Sequence, residues 1–160
     1  ASDKPYDLVL ASHYTAVRAT QIEGQSIAKT VAGFKAAWAS LQKRGATVVA
    51  IRDGVNMDKQ MRHCWESSVY DASQCSMAQK DAFITDLAQK AASSPPGAVT
   101  IDFTDLYCHN GKCPAKLGGV YVYRDSSHIS LAFSQGMVSD WVQRLTELGV
   151  DLPKNSGLEN

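Results

Sequence analysis

The stretch QSIAKTVAGFKAAWASLQKRGATVVAI, residues 25–51, decides the fold. Ile27, Val31, Phe34, Trp38 and Leu41 recur at spacings of three and four, the period that lines apolar side chains along one stripe of an α-helix. The spacing predicts a helix over 25–44. Gly45 is placed to end it, because glycine enters the left-handed conformation of a helix C-terminus without a Cβ penalty. Thr47-Val48-Val49-Ala50-Ile51 follows as a short apolar run, which is how a strand covered on both faces reads.

Working outward, Tyr6-Asp7-Leu8-Val9-Leu10-Ala11-Ser12 is a second run of the buried-strand type. Downstream, Phe83, Ile84, Leu87 and Ala91 mark an amphipathic helix over Ala78–Ala92, stopped by Ser93-Ser94-Pro95-Pro96-Gly97. Ala98–Phe103 reads as a third strand and Val120–Tyr123 as a short one. Ser130 is placed to cap a final helix carrying Leu131, Val138, Trp141, Leu145 and Leu148. Between Asp53 and Met77 no period is sustained, so that segment reads as a long loop. Helices alternating with apolar strands describe an α/β domain with a mostly parallel sheet, whose ligands bind beyond the carboxyl ends of the strands. One domain over 1–148 is expected, with a loosely ordered tail over 149–160. Trp38 and Trp141 fall on helical stripes and are expected in the core. Trp65, Tyr70 and Tyr107 fall in loops, where they either line a groove or pack beneath the loop.

The 160 residues carry 16 Lys+Arg against 16 Asp+Glu, a formal net charge of zero. Without a basic run, the chain is a poor partner for nucleic acid or an anionic membrane surface. No apolar run approaches the roughly 18 residues of a membrane span. Four cysteines fall in two local pairs. Of the three connectivities, Cys64–Cys75 with Cys108–Cys113 is favoured, since each bond closes a Gly- or Ser-containing loop. Asn110-Gly111 inside the second loop favours a type I′ hairpin. Disulfides imply an oxidising, extracytoplasmic compartment. The alternatives are reduced thiols, a zinc site drawing on these cysteines or on His63 and His109, and a thiol redox module on Cys108 and Cys113. Neither cysteine pair has the two-residue spacing of zinc ribbons or redox motifs.

The segment Tyr123-Arg124-Asp125-Ser126-Ser127-His128 carries the chemistry. An aspartate three residues before a histidine can accept the imidazole Nδ1–H, which leaves Nε2 free as a base. That is the Asp–His half of a serine triad. The plainer reading is a turn aspartate beside a surface histidine. Ser126 and Ser127 read as turn residues, and no Gly-Asp-Ser or Gly-x-Ser-x-Gly supplies a nucleophile. At the end of the first strand, Ser12 and His13 stand where α/β sheets gather site residues.

Taken together, the Asp7–Ala11 strand, the cysteine-closed loops and the Asp125-x-x-His128 block before a final helix resemble the SGNH hydrolase superfamily. The nearer likeness is to the extracytoplasmic SGNH domains of acyltransferase family 3 membrane proteins. The resemblance implies a three-layer, SGNH/flavodoxin-like sandwich that is incomplete at its N-terminus. The family's Gly-Asp-Ser block and its second, glycine-bearing block would then precede Ala1. Where the family's third block carries Gly-x-Asn-Asp, this chain has Ala11-Ser12-His13-Tyr14, so Ser12 and His13 become the candidates for an oxyanion or substrate contact. The implied activity is serine O-acyl transfer or ester hydrolysis on cell-envelope carbohydrate, with His128 as base and Asp125 as its orienting carboxylate. The family mechanism that the resemblance implies calls for no metal or organic cofactor. The implied partners are an acylated carbohydrate or cell-envelope glycan, an acyl donor delivered by a membrane domain, and the remaining N-terminal segment of the same domain. The alternative is a non-catalytic binding or accessory domain on the same fold.

Overall fold

The computed structural model describes residues 6–15, 26–67, 74–95 and 97–150. At its centre is a parallel sheet in the order β1 (Leu8–Ala11), β2 (Thr47–Ile51), β4 (Val99–Ile101). Leu8 pairs with Thr47, and Ile51 with Ile101. Alternation along β2 sends Val48 and Ala50 to one face and Val49 and Ile51 to the other. On the first face they meet Trp38, Ala88 and Ala91 of helices α1 (Ile27–Gln42) and α4 (Leu87–Ala92). On the second they join Ile101, Phe103, Met137 and Leu145, with Trp141 packed alongside. Helices therefore cover both faces, in the three layers of an SGNH/flavodoxin-like fold.

Local chemistry explains why the central unit forms. Ser26 caps α1 by accepting from the Lys29 amide at 3.2 Å, satisfying one of the donors that a helix start leaves orphaned. Gly45, at φ 90°, turns the chain out of the helix toward β2. The rest departs from the periodicity in three places. The helix expected over 78–92 is two pieces, α3 (Gln79–Ala82) and α4, because Asp86 starts a new helix by accepting from the Ala88 and Gln89 amides. The final helix likewise breaks at Met137 into α6 (Leu131–Gly136) and α7 (Val138–Glu147). The long loop contains α2 (Lys59–Ser67) and the short strand β3 (Ser76–Ala78).

Both disulfides form in the local pairing, Cys64–Cys75 and Cys108–Cys113. They converge on one small sheet, since β3 pairs antiparallel with β5 (Lys112–Pro114) and sets Met77 opposite Cys113. Asn110 and Gly111 take left-handed φ values of 51° and 75°, as the type I′ reading requires. The strand expected over 120–123 is shorter and lies outside the parallel sheet. Its first two residues, β7 (Val120–Tyr121), pair instead with β6 (Lys116–Leu117). α5 (Thr104–Tyr107) follows β4. At the other end Val150 is buried, so the first tail residues pack onto the core; residues 151–160 lie outside the described set.

One feature of the sheet bears on function. Among the described residues β1 pairs only with β2, and its Leu10 stands 47% exposed. An apolar strand with an open edge is a template for another strand.

Candidate active site

The Asp125–His128 turn is built on a buried footing. Val122 and Tyr123 are fully enclosed, and the loop above them is closed by Arg124 N–H to His128 O at 2.9 Å and Ser130 N–H to Val122 O at 2.8 Å. Ser130 then starts α6, its hydroxyl oxygen accepting from the Phe133 amide. The main chain is fixed on both sides of the histidine.

Within that loop Asp125 Oδ1 accepts from the amides of Ser127 at 3.1 Å and His128 at 2.9 Å. The same oxygen lies 2.8 Å from His128 Nδ1, and Oδ2 lies 3.0 Å from it. An ionised carboxylate can only accept, so Nδ1 carries the proton and Nε2 of the neutral ring keeps its lone pair. The Ser127 amide holds the Asp125 carboxyl well below the usual carboxylate range, and the ring and amide of His128 and then Arg124 add to it, together outweighing the opposing effect of desolvation. The His128 side chain is 64% exposed, open to a reactant from solvent.

Two polar networks that the sequence did not reveal cross the carboxyl ends of the strands. Just beyond β2, Asp53 Oδ2 accepts from both the amide (2.8 Å) and hydroxyl (2.7 Å) of buried Thr15. The Asp53 amide in turn donates to Asp86 Oδ2 at 3.0 Å. Asp53 thereby ties the segment after β1 to the segment after β2. A further bond, Met57 N–H to Ser126 O at 3.0 Å, ties the latter to the Asp125–His128 turn. The second network joins Arg52 to Asp102 at 2.7 Å and Arg144 to Asp105 at 2.7 Å, with Arg144 also donating to the Asp102 carbonyl. Burial alone would raise the Asp102 carboxyl, but the Thr104 hydroxyl and amide and the Arg52 guanidinium outweigh it and hold it low. Asp86 lies inside the single helix expected over 78–92, and its role as the cap of α4 was not read from the sequence. Nothing local marks Thr15, which meets its partner 38 residues away.

The structure thus brings Asp125 and His128 together. It does not join Ser12 and His13 to them by any hydrogen bond among the described residues. Ser12 is exposed, and His13 packs edge-on against Phe34 of α1 at 5.2 Å. Trp38 is buried as expected, and Trp141 packs against Phe103 with ring centroids 4.5 Å apart and the planes inclined at 52°. Trp65 and Tyr107 lie on short helices rather than loops: Trp65, on α2, packs against the core, and Tyr107, ending α5, is buried; Tyr70 lies outside the described residues. His63 and His109 are exposed. No cluster of metal-ligating side chains occurs among the described residues.

Tyr107 and Tyr123 form a buried phenolic pair under the turn. Desolvation, then the Asp53 and Asp102 carboxylates, push Tyr107 up to about 12, with Arg144 opposing. Desolvation, reinforced by Tyr107, pushes Tyr123 higher still. A raised phenol favours the fold fully below its unfolded value near 10. That contribution is lost as pH rises through the folded value of about 12. A phenolate absorbance titration should therefore show two of the six tyrosines ionising only together with loss of the fold. Free ionisation of all six near pH 10, with the fold intact, would contradict this burial.

Comparison with curated proteins and with solved structures gives no match. A family model, that of the SGNH domain fused to AT3 domains, matches residues 1–143. With the parallel three-stranded sheet covered by helices on both faces, this establishes that the chain belongs to the SGNH domain family found fused to AT3 domains.

Proposed function

We propose that this chain supplies the Asp–His half of a serine O-acyltransferase or esterase site, acting outside the cytoplasm on O-acylated cell-envelope carbohydrate. The observation that carries the proposal is the 2.8 Å contact between Asp125 Oδ1 and His128 Nδ1, on a turn pinned by backbone hydrogen bonds. In this reading His128 Nε2 takes the proton of a serine hydroxyl as that oxygen attacks the ester carbonyl. The imidazolium, held by Asp125, then returns the proton to the departing oxygen of the acyl donor, or of the sugar where an ester is being removed, and leaves an acyl-enzyme. A second sugar hydroxyl or a water, deprotonated by the same Nε2, releases the acyl group.

No hydroxyl among the described residues is hydrogen-bonded to the His128 ring. In this reading the serine comes from a further segment of the same domain, preceding β1 and pairing along its open edge. Exposed Leu10 on that edge supports the assignment. The family's fusion to AT3 domains supports a membrane acyltransferase domain as the source of the acyl group. The two disulfides support an oxidising compartment, and no helix among the described residues is long and apolar enough to cross a membrane. Residues 1–148 are read as belonging to this single domain, with Ser12 and His13 as contacts to the substrate or oxyanion.

The test is acetate release from an O-acetylated oligosaccharide, with residues 1–160 assayed alone and with the residues encoded upstream. The extended protein should turn over and 1–160 alone should not. Turnover by 1–160 alone would overturn the split site. A folded, extended protein that binds the glycan without turnover would establish the accessory-domain reading.

A further inference from the structure

A cleft of about 370 Å³ opens between α5, the β6–β7 hairpin and the α6–α7 pair. Its walls are apolar: Leu106 from α5, Leu117 and Val120 from the hairpin, and Phe133 and Met137 from the helices. Two ionisable side chains, His109 and Asp140, also line it. Neither side chain is hydrogen-bonded among the described residues; Arg144, one turn beyond Asp140, is hydrogen-bonded to Asp105 and also attracted electrostatically by Asp140. A cavity within the range of about 300–1,000 Å³, apolar with a few polar groups, has the composition of a small-molecule site.

Two features of the chain keep this cleft open. The Cys108–Cys113 bond closes the turn that presents His109. Gly136 of α6 lines the cleft without a left-handed φ, and a Cβ there would meet nothing within 4 Å. Gly136 is the last residue of α6, and neither its φ nor crowding by neighbours calls for glycine there. The missing side chain leaves room between the walls.

We propose that this cleft binds a neutral amphiphile, its apolar chain or ring against Phe133 and Met137 and a hydroxyl or amide between His109 and Asp140. The head group must be uncharged or a hydrogen-bond donor toward Asp140. A carboxylate there would face a like charge in a partly desolvated site. The imidazole of His109 supplies a donor or an acceptor according to its tautomer, which suits a hydroxyl. The cleft does not depend on the acyl-transfer reading, since binding is read without turnover.

The experiment follows the Met137 methyl signal by NMR during titration with octyl glucoside below its micelle concentration, and separately with octanoate. The glucoside should shift that methyl saturably, and Gly136→Leu should weaken the binding at least about tenfold by filling the cleft. Octanoate should bind about threefold to tenfold more weakly, and Asp140→Asn should remove that difference. The proposal is overturned if the glucoside leaves Met137 unmoved or if Gly136→Leu, with its methyl spectrum otherwise unchanged, binds as before. Should Gly136→Leu fail to fold, the half-exposed Asp140→Asn decides. Equal binding of glucoside and octanoate by the unaltered protein would likewise overturn it.

Discussion

Replacing His128 by Ala should lower acetate release by the complete site about 10⁴-fold, with Asp125→Asn falling by a similar factor. The two losses have different causes. His128→Ala removes the base itself. Asp125→Asn keeps the shape of the turn, because an amide oxygen can still accept from the Ser127 and His128 amides that bond Asp125 Oδ1. The amide nitrogen, however, can donate to Nδ1 and stabilise the tautomer whose Nε2 already bears a proton, which cannot act as a base. Stability should be nearly unaffected by His128→Ala, since exposed side chains outside packed contacts contribute within about 0.5 kcal/mol.

The double variant should lose little more than either single one, because the two residues act as a unit. The pH dependence has a definite sign. With its folded pKa depressed, Asp125 favours the fold above its unfolded value of about 3.9 and loses that contribution only as pH falls through the lower folded value. The carboxylate therefore stays ionised, and able to orient the ring, at all but strongly acid pH. Steady-state kinetics with thermal melts of the same preparations check these outcomes. An Asp125→Asn variant retaining more than about a tenth of the activity would show that the carboxylate does not orient the base.

Reducing both disulfides should come close to unfolding the domain. Their sequence separations of 11 and 5 correspond, by loss of loop-closure entropy in the unfolded chain, to about 3 and about 2 kcal/mol. Together that is a large part of the roughly 5–15 kcal/mol that holds an ordinary domain folded. All four sulfurs lie in or against the larger core cluster. The β3–β5 pair that links them is three residues long on each side, too short to persist without support. A fall in Tm of roughly 10–20 °C is expected for a chain of this length. It should be read by calorimetry in reductant, with thiol titration to show that four thiols have been released. An unchanged Tm with all four thiols free would mean that the bonds contribute nothing. The prediction also bears on compartment, since a chain this dependent on its disulfides is suited to an oxidising space.

The parts of the fold legible in the sequence were those written in contiguous residues. The stripe from Ile27 to Leu41 and the apolar runs at Leu8, Thr47 and Val99 became α1, β1, β2 and β4 nearly in place. The Asp125–His128 contact spans three residues and needed only a turn. Where the reading fell short, a tertiary partner had intervened. Asp86 divides the expected 78–92 helix because its two oxygens serve two masters, one capping α4 and the other holding the Asp53 amide. Met137 is buried between α6 and α7, so packing at that point overrides a stripe that ran on in sequence. The Thr15–Asp53 clamp and the β3–β5 pairing join segments far apart in the chain, and no local period encodes them. Ser12 and His13 stand just past the end of β1, as their place in the sequence indicates, and the ring of His13 lies edge-on to Phe34.

The most direct measurement labels the complete site with a fluorophosphonate and locates the adduct by peptide mass, alongside a His128→Ala control. The account predicts a single serine adduct in the segment preceding β1, lost in the control because no base remains to activate the hydroxyl. An adduct on a serine within residues 8–160, or labelling that survives His128→Ala, would contradict it.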